Sequence, residues 1–223
     1  MKAQIIFEPL TVSLPLTITW ADFPSKDDCA VKAQIAFEPL TVSLPLTITW
    51  ADFPSKDDCA VIVYFTGCRH NCPGCQNPEL QVSANGKELH HYMLAEMIEN
   101  EAKKAHTNKI VLSGGDPYFQ PAFEMNSLVC YLIVRGYEVC VYTGADIEDV
   151  KRKIPYATYY KCGKYDEQNK EQQWGKFPDR MVFVSKNQAL YNTDGKKISV
   201  DNVYYFSKWD TFKAKIKKLF EVK

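Results

Sequence analysis

The sequence predicts an α/β protein whose parallel sheet forms a partial (βα) barrel. Short uncharged runs of β-branched and aromatic residues alternate with segments of helical periodicity from residue 60 onward. Repetition of that kind builds a parallel sheet covered by helices. At 223 residues, about a quarter of them in a repeated N-terminal stretch, the chain is too short for a full eight-stranded barrel. The unusual residues also fall just after successive strands, and in parallel α/β folds those strand ends line one crevice.

"AVIVYF" (60–65) carries no charge, as a strand buried on both faces should. Leu89, Met93, Met97 and Ile98 then recur at helical spacing within 87–105. "KIVLS" (109–113) reads as the second strand, and 122–135 as a helix stopped by Gly136. "EVCVYT" (138–143) is the third strand, and Asp146 with Asp149 three residues on marks the next helix start. "ATYYK" (157–161), "MVFVS" (181–185) and "VYYFS" (203–207) are further strands. The tail 208–221 places Trp209, Phe212, Ile216 and Leu219 on one helical face, with solvated lysines opposite.

Residues 2–31 and 32–61 are the same thirty residues, differing only at Ile6 and Ala36. Two units fall short of the roughly three that a repeat fold needs. The second copy runs straight into the first strand, so it holds the working position. Residues 1–31 are read as a passenger, and 32–223 as the functional domain, with 32–61 leading into the first strand. Glu8, Pro9 and Pro15 interrupt the apolar run at the N-terminus, which argues against a signal peptide. No uncharged stretch approaches the ~20 residues of a membrane-spanning helix. The 27 basic residues balance 27 acidic ones, so no global field recruits nucleic acid or an anionic membrane. The expected location is cytoplasmic, where eight cysteines stay reduced and close-set thiols serve metals or catalysis.

"GCRHNCPGCQN" (67–77) sets Cys68, Cys72 and Cys75 in a C-x3-C-x2-C spacing. A structural zinc site wants four closed ligands, and His70 is the only nearby fourth candidate. Iron–sulfur cubes normally take four thiolates, so three would leave one iron open to a substrate or cofactor. "SGGDP" (113–117), "TGA" (143–145) and "CGKY" (162–165) follow the second, third and fourth strands. Together with the cysteine loop they are expected on one rim, as one site.

The cysteine loop resembles the radical S-adenosylmethionine (SAM) superfamily. Within it, the loop is most similar to the activating proteins of anaerobic ribonucleoside-triphosphate reductases. Their T-G-C-x-H-x-C-x-G-C-x-N pattern is met by Thr66, Gly67, Cys68, His70, Cys72, Gly74, Cys75 and Asn77, and Gly114, Gly115, Asp116 and Pro117 match their second motif. The resemblance covers about residues 46 to 195. It implies a partial barrel of the radical SAM type, with a 4Fe-4S cluster on Cys68, Cys72 and Cys75 as metal ligands and catalytic centre. It implies SAM on the fourth iron, contacted by Gly74, Cys75, Gln76, Gly114, Gly115 and Asp116. Gly114 and Gly115 would let backbone approach the methionine end. An electron donor such as flavodoxin would drive cleavage of SAM, and the resulting radical would take hydrogen from a glycine of the reductase's large subunit.

Departures from the pattern are Cys162, where the family often has Asp, and Val184 in place of a glycine. His70 reads either as a hydrogen-bond donor behind the ligands or as a plain loop histidine, and His90 and His91 as solvent-facing. The polar stretch 163–180 is the available lid. Two alternatives stand beside this reading: a small radical SAM enzyme acting on a small molecule, such as a deazaguanine synthase, and a zinc-binding module without chemistry.

Overall fold

The computed structural model describes residues 38–56 and 59–212. In chain order the strands are β1 (Leu40–Thr49), β2 (Ala60–Phe65), β3 (Lys87–Leu89), β4 (Lys109–Gly114), β5 (Glu138–Thr143), β6 (Tyr159–Cys162), β7 (Gly175–Lys176), β8 (Arg180–Val182), β9 (Ala189–Asn192) and β10 (Val203–Tyr205). Seven of them form one sheet in the order β3-β1-β2-β4-β5-β6-β9. Its centre, β2-β4-β5-β6, is parallel throughout. The outer strands β1, β3 and β9 join it antiparallel.

The four central strands are those expected from the sequence, within a residue or two at each end. They are parallel because a helix follows or precedes each crossover: α1 (His91–Lys104), α2 (Ala122–Val134) and α3 (Ile147–Lys153). Side chains alternate between two faces. Val61, Val63, Ile110, Leu112, Val139, Val141 and Tyr160 pack with the apolar faces of the three helices. Ala60, Ile62, Val111 and Cys140 face the other way and pack on Phe53, Met181, Phe183 and Leu190. The second face is therefore covered by non-helical chain, and its upper part is open as a cavity.

That covering explains one correction. The strands expected at 181–185 and 203–207 exist in shortened form as β8 and β10, yet neither extends the parallel sheet. They pair with β7 in a separate antiparallel sheet, order β10-β8-β7. No helix intervenes between them, so the chain returns antiparallel. The helix expected over 87–105 starts only at His91, since 87–89 pair with β1. β1 itself, from the second repeat copy, was not expected as a strand. Its register with β2 shifts between Ser43 and Thr47, a span that contains Pro45, which has no N–H to give a ladder.

Helix ends follow from named groups. Gly136, at φ 86°, closes α2: its N–H bonds to Ile133 O at 3.0 Å and Tyr137 N–H to Leu132 O at 3.0 Å. Asp146 precedes α3 as expected, but its side chain makes no capping bond. At α1 the cap comes from another helix: buried Glu124 of α2 accepts from His91 N at 2.7 Å and His91 Nδ1 at 2.9 Å. A carboxylate there satisfies an orphan N–H and favours the helix dipole. His91 is therefore an interior partner, not the solvent-facing residue expected, whereas His90 is half exposed. Residues 208–212 are helical, and the rest of the expected tail helix lies outside the described residues, as does the first repeat copy. Among the described residues no helix is long and apolar enough to cross a membrane.

Candidate functional site

Beyond Phe65 the chain leaves the sheet as the cysteine loop. Its start is tied down by two backbone bonds, Gly67 N–H to Leu80 O at 2.8 Å and Cys68 N–H to Gln81 O at 3.0 Å. Positive φ angles at Asn71 (49°) and Gly74 (68°) double the loop back, and Cys75 N–H closes a turn on Cys72 O at 3.2 Å. Cys68, Cys72 and Cys75 are free, partly buried thiols on the wall of a cavity of about 440 Å³. Burial raises the Cys68 and Cys72 thiols; backbone N–H donors, His70 to Cys68 and Tyr165 to Cys72, act in the opposite sense. Such N–H···S bonds favour thiolate and tune a cluster held by it.

The other three expected loops reach the same cavity: Ser113 to Asp116, Thr143 with Gly144, and Gly163 to Tyr165 all line it. Asp116 fastens three of the four loops together. Its buried carboxylate accepts at Oδ2 from His70 Nε2 (2.8 Å), Thr143 Oγ1 (3.0 Å) and Gly144 N (2.8 Å). Oδ1 accepts from Tyr118 N at 2.8 Å. His70 lies edge-on to Phe119, 4.9 Å between ring centroids, and a Cβ on Gly144 would stand 2.5 Å from its ring. Of the two readings of His70, the geometry takes the hydrogen-bonded one.

Among the residues expected to contact cofactor, Cys75, Gln76, Gly114, Gly115 and Asp116 line the cavity, and Gly74 does not. Gly74 faces Glu167, whose Cδ lies 2.8 Å from the place of a Cβ. Asp116 has its carboxylate engaged by protein donors and is a fastening group. The glycine pair also has a reason other than the one expected. A Cβ at Gly115 would lie 2.5 Å from Leu80 O and 2.8 Å from Gly67 O, and one at Gly114 2.5 Å from Phe65 N. Gly115 is glycine because the turn after β4 packs directly on the backbone of the cysteine loop, and Gly114 because it packs on the backbone at the end of β2.

Cys162, where the resembled family often has Asp, is buried in the helix-side core, and burial pushes its thiol up to about 12. It behaves as a small core residue. Sequence reasoning missed the cavity floor, where Tyr64 pairs in register with Ser113 and Tyr142 with Lys161. The available signal was Lys161 itself, a cation inside an otherwise apolar strand.

The donor set fits an iron–sulfur cube. Among the described residues no three His, Cys, Asp or Glu side chains close round a point that a single ion could fill. Thiolates of a cube instead each bind a different iron. Three thiols on the first strand end of a parallel sheet, clamped to a Gly-Gly-Asp turn on the second, have the chemistry to hold an iron–sulfur cluster of the radical SAM type.

The family model described as "4Fe-4S single cluster domain" matches residues 58–190. The anaerobic ribonucleoside-triphosphate reductase-activating protein of Enterobacteria phage T4 is 30% identical over 142 residues, 60% of this chain and 85% of that one. The 7-carboxy-7-deazaguanine synthase of Aquifex aeolicus (strain VF5) is 32% identical over 87 residues, 39% of this chain and 36% of that one. The chain belongs to the 4Fe-4S single cluster domain family. It is an enzyme of the radical SAM type, with a 4Fe-4S cluster and SAM as its cofactors.

Proposed function

We propose that this chain is a glycyl-radical activase: it generates a glycyl radical on the large subunit of an anaerobic ribonucleoside-triphosphate reductase. The observation that carries the reading is that the T4 activating protein is matched along 85% of its length, whereas the deazaguanine synthase is matched along 36%. Cys68, Cys72 and Cys75 would hold three irons of the cluster. Bound there and reduced, the cluster would supply the electron for reductive cleavage of SAM.

This chain's own residues set the conditions for that chemistry. The His70 and Tyr165 N–H groups stabilise thiolate at Cys68 and Cys72. Asp116 holds the cysteine loop, the Gly114–Gly115 turn and the Thr143–Gly144 turn in one arrangement. Gln76 and the backbone of Gly114 and Gly115 border the cavity where SAM would lie. Segment 163–180 supplies Lys164, Tyr165 and Trp174 to its wall, and Trp174 is half exposed at the rim. We read the sheet as the partial (βα) barrel of the radical SAM type, 32–223 as the working domain, and a protein such as flavodoxin as the electron donor.

Reductive cleavage is tested directly. Anaerobically reconstituted protein with SAM and dithionite should release 5′-deoxyadenosine and methionine in equal amounts, and Cys68→Ala, Cys72→Ala or Cys75→Ala should each abolish both. Cleavage that persists in any of these variants would overturn the ligand assignment. The synthase relative supports a second reading, a radical SAM enzyme for a small molecule. Rapid turnover of such a substrate without a protein partner would decide for it.

A further inference from the structure

The cavity floor carries a cation that the chemistry above does not use. Lys161 stands on the cavity face of β6 beside Tyr142 of β5, its partner in register. Its ammonium lies 4.9 Å from the centroid of the Tyr142 ring and 5.9 Å from that of Phe183. Among the described residues none forms an ion pair with it. Asp52 acts on it only through space and is bonded to Thr49 Oγ1 at 2.5 Å. The other acid that acts on it, Asp116, is fully engaged by its four donors. A cation withdrawn from water without a counter-ion is costly, and two ring faces offset only part of that cost. Neither carboxylate touches the ammonium, and the open side of Lys161 is the cavity.

We infer that Lys161 is a substrate anchor: its ammonium receives a carboxylate carried by whatever delivers the reacting C–H into the cavity. The inference rests on the reading of this cavity as the reaction chamber. It adds a substrate class, a carboxylate-bearing group, whether borne by a small molecule or by an acidic side chain near the target glycine.

Burial draws the free Lys161 amine down to about 8, against the opposing pull of Asp52, Cys140, Cys162 and Asp116. A bound carboxylate favours the charged amine and raises that value again. The sign follows: the anion binds fully below about pH 8 and progressively more weakly above it. Burial pushes Tyr64, Tyr142, Cys140 and Cys162 upward and keeps them neutral there; Asp52, His70, Asp116, Lys164 and Tyr165 also line the cavity, so the Lys161 variants assign the dependence.

Calorimetric titration of the reconstituted protein with glutarate, at several values between about pH 7 and pH 9.5, tests it. Wild-type affinity should fall by about tenfold per unit above pH 8. Lys161→Arg should bind glutarate without that dependence, because guanidinium stays charged. Lys161→Met should lose at least about tenfold at neutral pH. Equal affinity in wild type and Lys161→Met, or no glutarate binding by the wild type, would overturn the proposal. Competition by Ac-Gly-Glu-Gly-amide, but not by its Gln counterpart, would assign the carboxylate to a polypeptide; competition by neither would assign it to a small molecule. The two readings fail separately. A normal glycyl radical with Lys161→Met removes the anchor and keeps the activase, whereas Lys161-dependent glutarate binding without any glycyl radical does the reverse.

Discussion

Replacing Asp116 by asparagine keeps the side-chain shape and turns one carboxylate oxygen into an NH2 group. Oδ2 now accepts from three donors and Oδ1 from one. The new amide nitrogen is least harmful at the Oδ1 side, where it still faces the Tyr118 N–H, donor against donor. One buried bond is lost outright, at about 1–3 kcal/mol. The three remaining bonds lose their charge assistance, which roughly doubles the strength of such contacts. The net destabilisation is about 3 kcal/mol. For a chain of this size that lowers Tm by about 6–12 °C. Thermal unfolding followed by circular dichroism reads the shift, and iron and sulfide content after anaerobic reconstitution reads the consequence for the loop. Both should fall together, because His70 would be held to the β4 loop only by a weaker, uncharged bond. Asp116→Asn with unchanged Tm and full iron would refute the fastening argument.

Gly115→Ala should reduce iron loading as well as SAM binding, since its Cβ would meet Leu80 O and Gly67 O at 2.5 and 2.8 Å; iron analysis showing full loading would contradict this. Cys140 and Cys162 should resist iodoacetamide at about pH 8 until the protein unfolds, because both are buried and their thiols are raised by burial; mass spectrometry showing prompt modification of Cys162 in folded protein would exclude that environment. Deleting residues 2–31 should leave iron content and SAM cleavage unchanged, because the second copy supplies β1; loss of either would give the first copy a structural role.

The parallel core was legible because β2, β4 and β5 are uncharged or nearly so and rich in β-branched residues, the pattern that two buried faces impose. β8 and β10 show the same local pattern, but periodicity does not name a partner strand, so their separate antiparallel sheet could not be read. β1 was hidden by Pro45 and by a repeat that drew attention to duplication. At the site, C-x3-C-x2-C and Gly-Gly-Asp-Pro carried the thiols and the facing turn. The pairs that hold the site together, His70 with Asp116 and His91 with Glu124, join residues 46 and 33 positions apart, and no local spacing signals them. The same holds for Gly115, whose Cβ-free approach to Gly67 and Leu80 is a tertiary contact.

The central claim is most directly tested by electron paramagnetic resonance of an anaerobic mixture of this protein, SAM, a reductant and the large subunit of a candidate anaerobic ribonucleoside-triphosphate reductase. The account predicts a doublet from a glycyl radical that depends on SAM and disappears with Cys68→Ala, Cys72→Ala or Cys75→Ala. A doublet of normal intensity with any of these variants, or its absence when wild-type protein cleaves SAM in the presence of that subunit, would contradict it.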